Sequence, residues 1–467
     1  MRISFQGAAR TVTGSKHLIT LDSGKKILLD CGMFQGRQVE ADELNKFFLF
    51  NPEELYAVIL SHAHIDHSGL LPKLVKDGFK GPIYSTFATK DLCDIMLADS
   101  AHIQETEAYY TNKYREKTGK PFVKPLYNST DAISCMNQFV PTQYRRPFKV
   151  CDEVTVEFFD AGHILGSAIT HLTITENNKT TTLTYSGDVG RYVNRILRFP
   201  EEIPQSDYII LESTYGNREH GSAKDAAAAL LETINEVCVN NQGKLIIPAF
   251  SIGKTQELIY TLNKMKNKGV LPDIKVFVDS PLAINATEII RNHTYCFSDS
   301  ILKYMENDPD PFGFNQLHYV QKQEQSKALN TIEEPCIIIS ASGMADAGRV
   351  KHHLANTIEN PNNGILFIGF CEGSSLGGRI IAGAKKVTIY DNEYKVKAKV
   401  KVIDFFSAHA DRNELIRFLS CQNPKLVKQV FLVHGNENAL LEFQRTLRQK
   451  DFVEVIVADY NKSYELD

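Results

Sequence analysis

The chain has 467 residues, enough for two or more domains with substantial hydrophobic cores. Hydrophobic residues make up 43% of it and charged residues 23%, which are the proportions of an ordinary globular protein. Its formal net charge of −4 gives no general support for binding to nucleic acid, so any basic surface must be local.

The sequence gives no sign of a secretory or membrane segment. The start, MRISFQGAARTVTGSKHL, has no long apolar core, so we expect no signal peptide. No apolar run of about 18 residues or more predicts a membrane span. The nine cysteines are scattered from Cys31 to Cys421 without a CxxC pair, which favours reduced thiols over a disulfide framework. We therefore expect a cytoplasmic protein with no membrane partner.

The first third of the chain has the pattern of strand-rich α/β structure. Short strands are predicted at ISFQGAA, HLITLD and KKILLDCG, with a hairpin turn between the last two. A buried strand, AVIL, runs into SHAHIDHSG, and GPIYST precedes a long helix from about Thr89 to Lys117. Three further strands each run into a loop: TVEFFDAGHILGSA, TTLTYSGDVGR and YIILESTYG.

The pattern changes after about Gly216, where helices and strands alternate. The helices SAKDAAAALLETINEVC and KTQELIYTLNKMK alternate with the strands KLIIPAF and KVFVDS, and CIIISAS and GILFIGF follow. This alternation predicts an inserted, parallel, doubly wound sheet. The chain then returns through KVKAKVKVIDFFSAHAD to a last helix and the strand QVFLVHG.

Several predicted strands end in side chains that carry chemistry. They are Asp30, the SHAHIDHSG cluster, His163, Asp188, Glu212, His409 and His434. Open α/β sheets bind their ligands beyond the C-terminal ends of the strands, so we expect the functional site there.

The stretch SHAHIDHSG predicts a metal site. His62 and His64 are two residues apart and share a face of extended backbone, while Asp66 and His67 turn towards a neighbouring position. Zinc accepts imidazole nitrogen and carboxylate oxygen, and two ions about 3.5–4 Å apart need a bridging ligand. The alternative is that Ser61 or Asp66 caps the following helix. That alternative explains one residue, whereas a whole cluster of imidazoles gains nothing from crowding without a metal.

The motifs resemble those of a known family. SHAHIDHSG is similar to the metal motif of the metallo-β-lactamase fold, and DCG, AGHILGS and SGDVGR resemble its other motifs in order. LESTYG, SAHAD and VHG resemble three further motifs of the β-CASP nucleases, above all those of the RNA-processing branch. The resemblance implies an α/β fold, namely an αββα sandwich at 1–214 and 403–467 with a doubly wound β-CASP domain inserted at 215–402.

The resemblance also implies two zinc ions and their ligands. The first zinc would take His62, His64 and His163, the second would take Asp66, His67 and His434, and Asp188 would bridge them. RNA-acting members carry a histidine at the position of His434, whereas DNA-repair members tend to carry an apolar residue. The substrate implied is therefore single-stranded RNA.

The mechanism implied is attack of a metal-activated hydroxide on a phosphodiester. His409 would protonate the leaving 3′-oxygen, and Glu212 would orient His409 and keep it protonated. Asp30 would orient the metal ligands and form a hydrogen bond near the bridging water, and Asp66 is counted with these catalytic residues.

Three loops of the insert, PAFSIGKTQEL, SASGMADAGR and GFCEGSSLGGR, are expected to bind substrate phosphates. Each alone also fits ordinary turn and cap chemistry. The residues concerned are Ser251, Gly253, Lys254, Ser342, Gly343, Ser375, Gly377 and Arg379, with Arg349 beside them.

Two basic stretches have two interpretations each. YKVKAKVKV is expected to place Lys395, Lys397, Lys399 and Lys401 on one strand face, either to meet RNA or to protect an edge strand from aggregation, which we favour. YYTNKYREKTGKPFVKPLY either stacks bases or is a solvated helix end, which we favour.

Three other functions stay open. A hydrolase of a small phosphoester, thioester or lactam uses the same histidine cluster but needs neither the insert nor the Glu212–His409 pair. A DNA nuclease is disfavoured by His434, and a catalytically inactive scaffold would usually lose metal ligands. The sequence leaves open a homodimer, RNA-processing partners, endo- or exonucleolytic action, and manganese or iron in place of zinc.

Overall fold

The computed structural model of the protein describes residues 1–36, 38–221, 223–369, 371–403 and 407–467. It divides into two compact units. The first unit comprises Met1–Glu219 and His409–Asp467, and the second comprises His220–Ala408.

The strands of the described residues, in chain order, are β1 (Arg2–Phe5), β2 (His17–Thr20), β3 (Lys26–Leu29), β4 (Leu55–Ile59), β5 (Ile83–Thr86), β6 (Phe139–Thr142), β7 (Phe148–Lys149), β8 (Val154–Asp160), β9 (Ala168–Glu176), β10 (Lys179–Tyr185), β11 (Tyr208–Glu212), β12 (Lys244–Pro248), β13 (Lys275–Val278), β14 (Leu317–Tyr319), β15 (Cys336–Ser340), β16 (Gly364–Phe367), β17 (Lys386–Ile389), β18 (Asn392–Lys395), β19 (Lys399–Val402), β20 (Gln429–Val433), β21 (Val455–Val457) and β22 (Lys462–Glu465).

The α-helices of the same residues are α1 (Gln38–Lys46), α2 (Ile65–Ser68), α3 (Leu71–Lys76), α4 (Phe87–Thr118), α5 (Ser129–Met136), α6 (Ala223–Ile234), α7 (Lys254–Asn267), α8 (Pro281–Asn292), α9 (Asp299–Met305), α10 (Gln323–Leu329), α11 (Val350–Thr357), α12 (Leu376–Ile381), α13 (Arg412–Leu419) and α14 (Glu437–Arg448).

The first unit is a sandwich of two seven-stranded sheets. Their strand orders are β22-β1-β2-β3-β4-β5-β6 and β21-β20-β11-β10-β9-β8-β7. Alternate side chains of β8, such as Val156 and Phe158, pack against side chains of the other sheet, such as Ile19 and Ile59. The opposite face of the second sheet is covered by α13 and α14, and α4 packs on β5 and β6. The predicted αββα sandwich is confirmed.

The second unit contains a six-stranded parallel sheet in the order β14-β13-β15-β12-β16-β19. Every residue of the central strands β15 and β16 is buried, as expected for a parallel sheet with both faces covered by helices. On one face, Ile246, Ile338 and Phe367 pack against α11 and α12. The predicted doubly wound domain is confirmed.

The prediction of one continuous strand at YKVKAKVKV is wrong. The stretch is divided between β18, which forms a hairpin with β17, and β19, which is an edge strand of the parallel sheet. Between them the N–H groups of Lys397 and Ala398 donate to the Ile358 carbonyl instead of to a neighbouring strand. Lys399 and Lys401 each pair with Glu236, at 2.6 and 2.5 Å, and Lys401 also lies 3.8 Å from Glu232, so both lysines are engaged within the unit.

Helix α4 has well-defined ends. It begins after Thr86, whose side chain accepts the Thr89 N–H, and ends at Gly119, which has a left-handed φ of 66°. Its 32 residues span about 48 Å. No helix of the described residues, α4 included, is both long enough and apolar enough to cross a membrane.

The sandwich core should dominate the stability of the first unit. Phe158 is completely buried between the two sheets, so we expect Phe158→Ala to lower the free energy of unfolding of this unit by about 3–5 kcal/mol. Urea unfolding, monitored by amide hydrogen exchange in β8 and β9, measures this loss in the free energy of unfolding. Ile133→Ala, at an exposed position, is the matched control and should change it by less than about 0.5 kcal/mol. Equal effects of the two substitutions would contradict the packing assignment.

A second prediction concerns pH. Burial raises the pKa of Asp160, at the end of β8, from 3.8 to about 7, and its Oδ2 has no hydrogen-bond partner among the described residues. The folded chain therefore binds this proton more tightly than the unfolded chain. The stability that the bound proton gives the folded chain is fully present below about pH 4 and is lost as the pH rises through about 7. Asp160→Asn stays neutral at every pH, so its stability relative to the parent should rise by up to roughly 4 kcal/mol between pH 4 and 8.

Denaturant unfolding at a series of pH values measures this difference. Asp451→Asn, at an exposed position, is the control and should follow the parent at each pH. A constant difference between Asp160→Asn and the parent would show that Asp160 is already ionised at pH 4.

Candidate metal centre

The topology of the first unit brings the predicted site residues to one place. Strands β3 and β4 run parallel in the first sheet, and β10, β11 and β20 run parallel in the second. Strand β8 also points the same way as β10, because both are antiparallel to β9. The segments that follow these strands carry the predicted residues Asp30, His62, His64, Asp66, His67, His163, Asp188 and His434. Asp66 and His67 lie in α2, and Glu212 is the last residue of β11. All of them lie in the first unit, as does His409.

Two glycines allow these loops to approach one another. A Cβ on Gly32, in the DCG motif, would lie 1.6 Å from the Asp66 carbonyl oxygen. A Cβ on Gly190, after Asp188, would lie 1.9 Å from the Gly162 carbonyl oxygen. Only glycine fits at either position, so the motif glycines set the distance between the ligand loops.

Three imidazole nitrogens and a carboxylate form the first cluster. His62 Nε2 lies 3.1 Å from His64 Nδ1, and His163 Nε2 lies 3.2 Å from the same His64 nitrogen. Asp188 Oδ2 lies 3.4 Å from His62 Nε2 and 3.5 Å from His163 Nε2. These are four candidate ligand atoms for one ion.

The second cluster adjoins the first through the same aspartate. His67 Nε2 lies 3.2 Å from His434 Nε2, and Asp66 Oδ2 lies 3.4 Å from that His434 nitrogen. Asp188 Oδ1 lies 3.3 Å from His67 Nε2. Asp188 therefore offers one oxygen to each cluster, which is the arrangement expected of a bridging ligand.

The outer nitrogen of His67 is fixed by Asp30. His67 Nδ1 donates to Asp30 Oδ2 at 2.6 Å, so the proton of neutral His67 is on Nδ1 and its lone pair is on Nε2. Asp30 also accepts the Ser61 N–H, the Ser61 hydroxyl and the Tyr185 hydroxyl. The predicted role of Asp30 in orienting ligands agrees with these contacts, and its predicted hydrogen bond near a bridging water stays a prediction.

Two hydroxyl groups determine which ring nitrogen of His62 and of His434 carries the proton, as Asp30 does for His67. The Ser61 hydroxyl donates its only proton to Asp30 at 2.7 Å, so it accepts a proton from His62 Nδ1 at 3.0 Å. The Thr214 hydroxyl donates to the His434 carbonyl at 3.1 Å, so it accepts from His434 Nδ1 at 3.0 Å. Both histidines therefore direct the lone pair of Nε2 into the clusters.

The electrostatics of the clusters fit positive ions. Burial lowers the pKa of His67, but Asp188 and Asp30 outweigh it and raise that pKa well above its usual range, so a metal would displace a proton from His67. Burial holds the pKa of His62 well below its usual range and lowers that of His64 to about 4. These imidazoles are thus neutral at physiological pH, the form that binds metals. Asp188 Oδ1 is buried and makes no hydrogen bond within the described residues. Neutral imidazole nitrogens and the buried carboxylate of Asp188 converge within reach of one ion, so the residues present fit metal ions.

His409 and Glu212 form a pair beside the clusters. His409 Nδ1 lies 3.2 Å from Glu212 Oε1 and 3.8 Å from Asp188 Oδ2. Burial lowers the pKa of His409, but Glu212 and Asp188 outweigh it and raise that pKa to about 9. His409 is therefore held in its protonated form.

Backbone contacts hold this pair in position. Glu212 is buried and also accepts the N–H groups of Val189 and Thr214. On the other side, the Ala410 N–H donates to the Val189 carbonyl at 2.8 Å. Asp411, the next residue, caps α13. His409 is therefore held by Glu212 on one side and by the ordered residues Ala410 and Asp411 on the other.

The predicted substrate loops lie in the second unit, after β12, β15 and β16. These strands are neighbours and parallel, so the loops leave the same edge of the sheet. The Gly377 N–H donates to the Met344 carbonyl at 2.9 Å, and Cys371 Sγ lies 3.5 Å from the Gly343 carbonyl oxygen. The structure thus brings two of these loops into contact, and their binding of phosphate stays a prediction.

Individual residues of these loops differ in their availability. Ser375 is buried and caps α12, since its hydroxyl accepts the Gly378 N–H. Arg349 donates to Asp279 at 2.6 Å and to two backbone carbonyls. Its guanidinium therefore stabilises the fold and is less available to bind a phosphate. Arg379 is exposed.

The remaining loop residues lie around the start of α7. Gly253 has a φ of 81° directly before this helix, and Lys254 Nζ lies 4.9 Å from the centre of the Phe250 ring. Ser251 Oγ lies 3.1 Å from Ser280 Oγ. In the second loop, Ser342 Oγ donates to the Ala347 carbonyl at 3.3 Å.

The sequence interpretation missed the hydroxyl groups that anchor the ligands. Ser61 received only a helix-capping role, and Thr214 and Tyr185 received none. All three lie inside or directly before the motifs, in SHAHIDHSG, LESTYG and TYSGDVG. A search for hydrogen-bond partners of ligand nitrogens within the motifs would have found them as candidates.

Three family models match the chain along most of its length. A metallo-beta-lactamase superfamily domain matches residues 18–198, a Beta-Casp domain matches 255–380, and a Zn-dependent metallo-hydrolase RNA specificity domain matches 393–458. The three matches follow one another in the order that the motifs predict.

Curated relatives match over nearly the whole chain. Ribonuclease TTHA0252 of Thermus thermophilus is 34% identical over 96% of both chains. The RNase J-like protein of Methanocaldococcus jannaschii is 31% identical over 95% of both, and transcription termination factor FttA of the same organism is 30% identical over 96% of this chain and 69% of its own. Together with the fold and the site geometry, these similarities show that the chain belongs to the β-CASP family of the metallo-β-lactamase superfamily.

Proposed function

We propose that the protein is a zinc-dependent ribonuclease that hydrolyses phosphodiester bonds of single-stranded RNA. The observation that carries this proposal is the pair of ligand clusters that share Asp188 and lie beside a protonated histidine held by Glu212. A relative that is similar over nearly its whole length, TTHA0252, is named as a ribonuclease, which supports RNA as the substrate.

Two zinc ions are the proposed cofactors. His62, His64 and His163 would hold one, and Asp66, His67 and His434 would hold the other, with Asp188 shared. When bound, such ions acidify a water towards neutral pH and neutralise charge that builds on phosphoryl oxygens. Asp30, Ser61 and Thr214 would keep the histidine lone pairs aimed at the ions.

His409 is the proposed general acid. Its Nδ1 donates to Glu212, so the proton on Nε2 is the one it would give to the leaving 3′-oxygen. Rupture of the bond between phosphorus and the 3′-oxygen leaves a 5′-phosphate on one fragment and a 3′-hydroxyl on the other. Glu212 would then favour reprotonation of the neutral imidazole. The other carboxylate oxygen of Glu212 accepts the Thr214 N–H and stays in position.

The remaining assignments are also proposals. Residues 1–214 and 403–467 would form the metallo-β-lactamase domain and 215–402 the β-CASP domain, whose loops at Ser251, Gly253, Lys254, Ser342, Gly343, Gly377 and Arg379 would bind phosphates. Ser375 would act there through its cap of α12. We further propose a cytoplasmic location and leave a homodimer and RNA-processing partners to direct measurement.

One experiment tests the metal ions and the proposed general acid His409 together. Incubated with a 5′-labelled single-stranded RNA and the matching DNA, the protein should cut RNA and cut DNA far less, and a chelator should abolish cutting. His409→Ala should lower the rate by about 10²–10⁴-fold, because the leaving oxygen loses its proton donor, while the variant binds as much zinc as the parent.

His318→Ala removes an exposed histidine from the second unit and should leave cutting unchanged. If the zinc-loaded protein leaves RNA intact, the ribonuclease proposal fails and hydrolysis of a small ester becomes the leading function. Equal cutting of RNA and DNA would favour a general nuclease.

A second prediction isolates the role of Asp30. This residue has a φ of 58°, a conformation that asparagine tolerates, so Asp30→Asn should keep the backbone and change only the hydrogen bonds to His67, Ser61 and Tyr185. We expect zinc to bind about 10- to 100-fold more weakly, since His67 loses its charged partner. Zinc titration measures the affinity, with Asp42→Asn as an exposed control. Parent-like affinity of Asp30→Asn would refute the positioning role.

A further inference from the structure

The C-terminal end of α4 carries an unusual group of exposed aromatic side chains. Tyr109 and Tyr110 are each 63% exposed, Tyr114 is 64% exposed and Phe122, just beyond the helix, is 65% exposed. Exposed aromatic side chains that lie close together mark interaction sites more often than single ones do, so this end of the helix is a candidate binding surface.

The same segment is strongly basic. Between Tyr109 and Lys124 the sequence contains five lysines and arginines and one glutamate, a local net charge of +4 in a chain whose net charge is −4. The surface therefore attracts a polyanion although the protein as a whole does not.

Helical spacing combines the two features on one face. Tyr110, Lys113, Tyr114 and Lys117 follow the positions i, i+3, i+4 and i+7 of α4, so aromatic and basic side chains alternate along one stripe. We call these four residues the tyrosine–lysine stripe. Within the described residues, none of the four side chains forms a hydrogen bond or an ion pair, so the lysine charges are not already neutralised.

The stripe is held on a rigid support. The segment after the helix folds back, and Asn112 exchanges two hydrogen bonds with the Val123 backbone, both at 2.8 Å. Arg115 donates to the Pro121 carbonyl at 2.7 Å, and Gln104 accepts the Leu126 N–H. A ligand would therefore meet a preformed surface and pay little for ordering it.

The other end of α4 adjoins the metal centre. The hydroxyls of Thr86 and Thr89 donate to the Gly166 carbonyl, in the loop that carries His163, at 2.7 and 2.8 Å. Tyr110 lies 23 residues beyond Phe87, about 35 Å along the helix axis. One extended strand would have to reach across this distance to touch both places.

We propose that the tyrosine–lysine stripe is a second binding site for single-stranded RNA, remote from the metal centre, and not only the solvated helix end that the sequence alone favoured. Unpaired bases stack on Tyr110 and Tyr114, and the phosphates between them pair with Lys113 and Lys117. A duplex hides its base faces and offers no such stacking, which restricts the ligand to single strands. This inference rests on the proposed function and adds an anchoring site for long substrates.

The test is binding of a fluorescently labelled, unstructured RNA of about 20 nucleotides, measured by anisotropy with chelator present so that nothing is cut. Tyr110→Ala combined with Tyr114→Ala should weaken binding by about 10-fold or more. Lys113→Gln combined with Lys117→Gln should reduce the slope of log affinity against log salt by about 1.4, since two phosphate contacts are lost. Tyr56→Ala and the pair Lys179→Gln with Lys450→Gln, all exposed positions, are the matched controls and should bind as the parent does.

The outcome is separable from the ribonuclease proposal. Binding is measured without catalysis, so a protein that cuts no RNA still tests the stripe. A tyrosine variant that binds RNA as tightly as the parent overturns the inference, even if the enzyme cuts RNA. A variant that keeps RNA affinity but loses self-association in ultracentrifugation would identify a protein-binding surface instead. With active enzyme, the stripe variants should slow cutting of the long RNA and leave that of a trinucleotide unchanged.

Discussion

The first unit is organised around a set of lone pairs that point at one another. His62, His67 and His434 each have the outer nitrogen fixed by a group that can only accept its proton. The inner nitrogens of His62 and His67 then face Asp188 in a buried space, and that of His434 faces His67 and Asp66. In a low dielectric this arrangement is unfavourable by itself, because buried charges and lone pairs need compensation. The fold therefore favours the binding of cations at this position, and the glycines and loops around the site keep the ligand side chains in place.

The hydrogen bonds that set this preference also join the two sheets. Asp30 follows β3 in the first sheet, while Tyr185 ends β10 in the second, and their side chains meet at 2.6 Å. Asp30 thus couples the core of the sandwich to the orientation of His67. A change in the packing of the sheets would reach the ligands through this carboxylate.

Much of the site could be predicted from the sequence, because its chemistry is concentrated in motifs at strand ends. Each predicted metal ligand lies in the first unit, close to the others. The anchoring hydroxyls of Ser61 and Thr214 could not be assigned in advance, since a hydroxyl's role depends on which neighbour takes its proton. The strand predicted at YKVKAKVKV failed for a related reason: alternation indicates an extended backbone, but the hydrogen bonds of Lys397 and Ala398 to the Ile358 carbonyl depend on a helix distant in sequence. Arg349 was likewise expected beside the phosphate-binding residues, but its guanidinium is bound by Asp279, which is 70 residues away in the sequence.

The split of the first unit around the second has a consequence during protein synthesis. The ligands up to Asp188 are made early, but His409 and His434 are made only after all of the second unit. A nascent chain on the ribosome therefore lacks both the acid and one ligand until the residues that follow the second unit have emerged. Strand β22, which pairs with β1, is also translated after the second unit. The proton donor and one ligand of an RNA-degrading site thus become available only after the whole second unit has been translated.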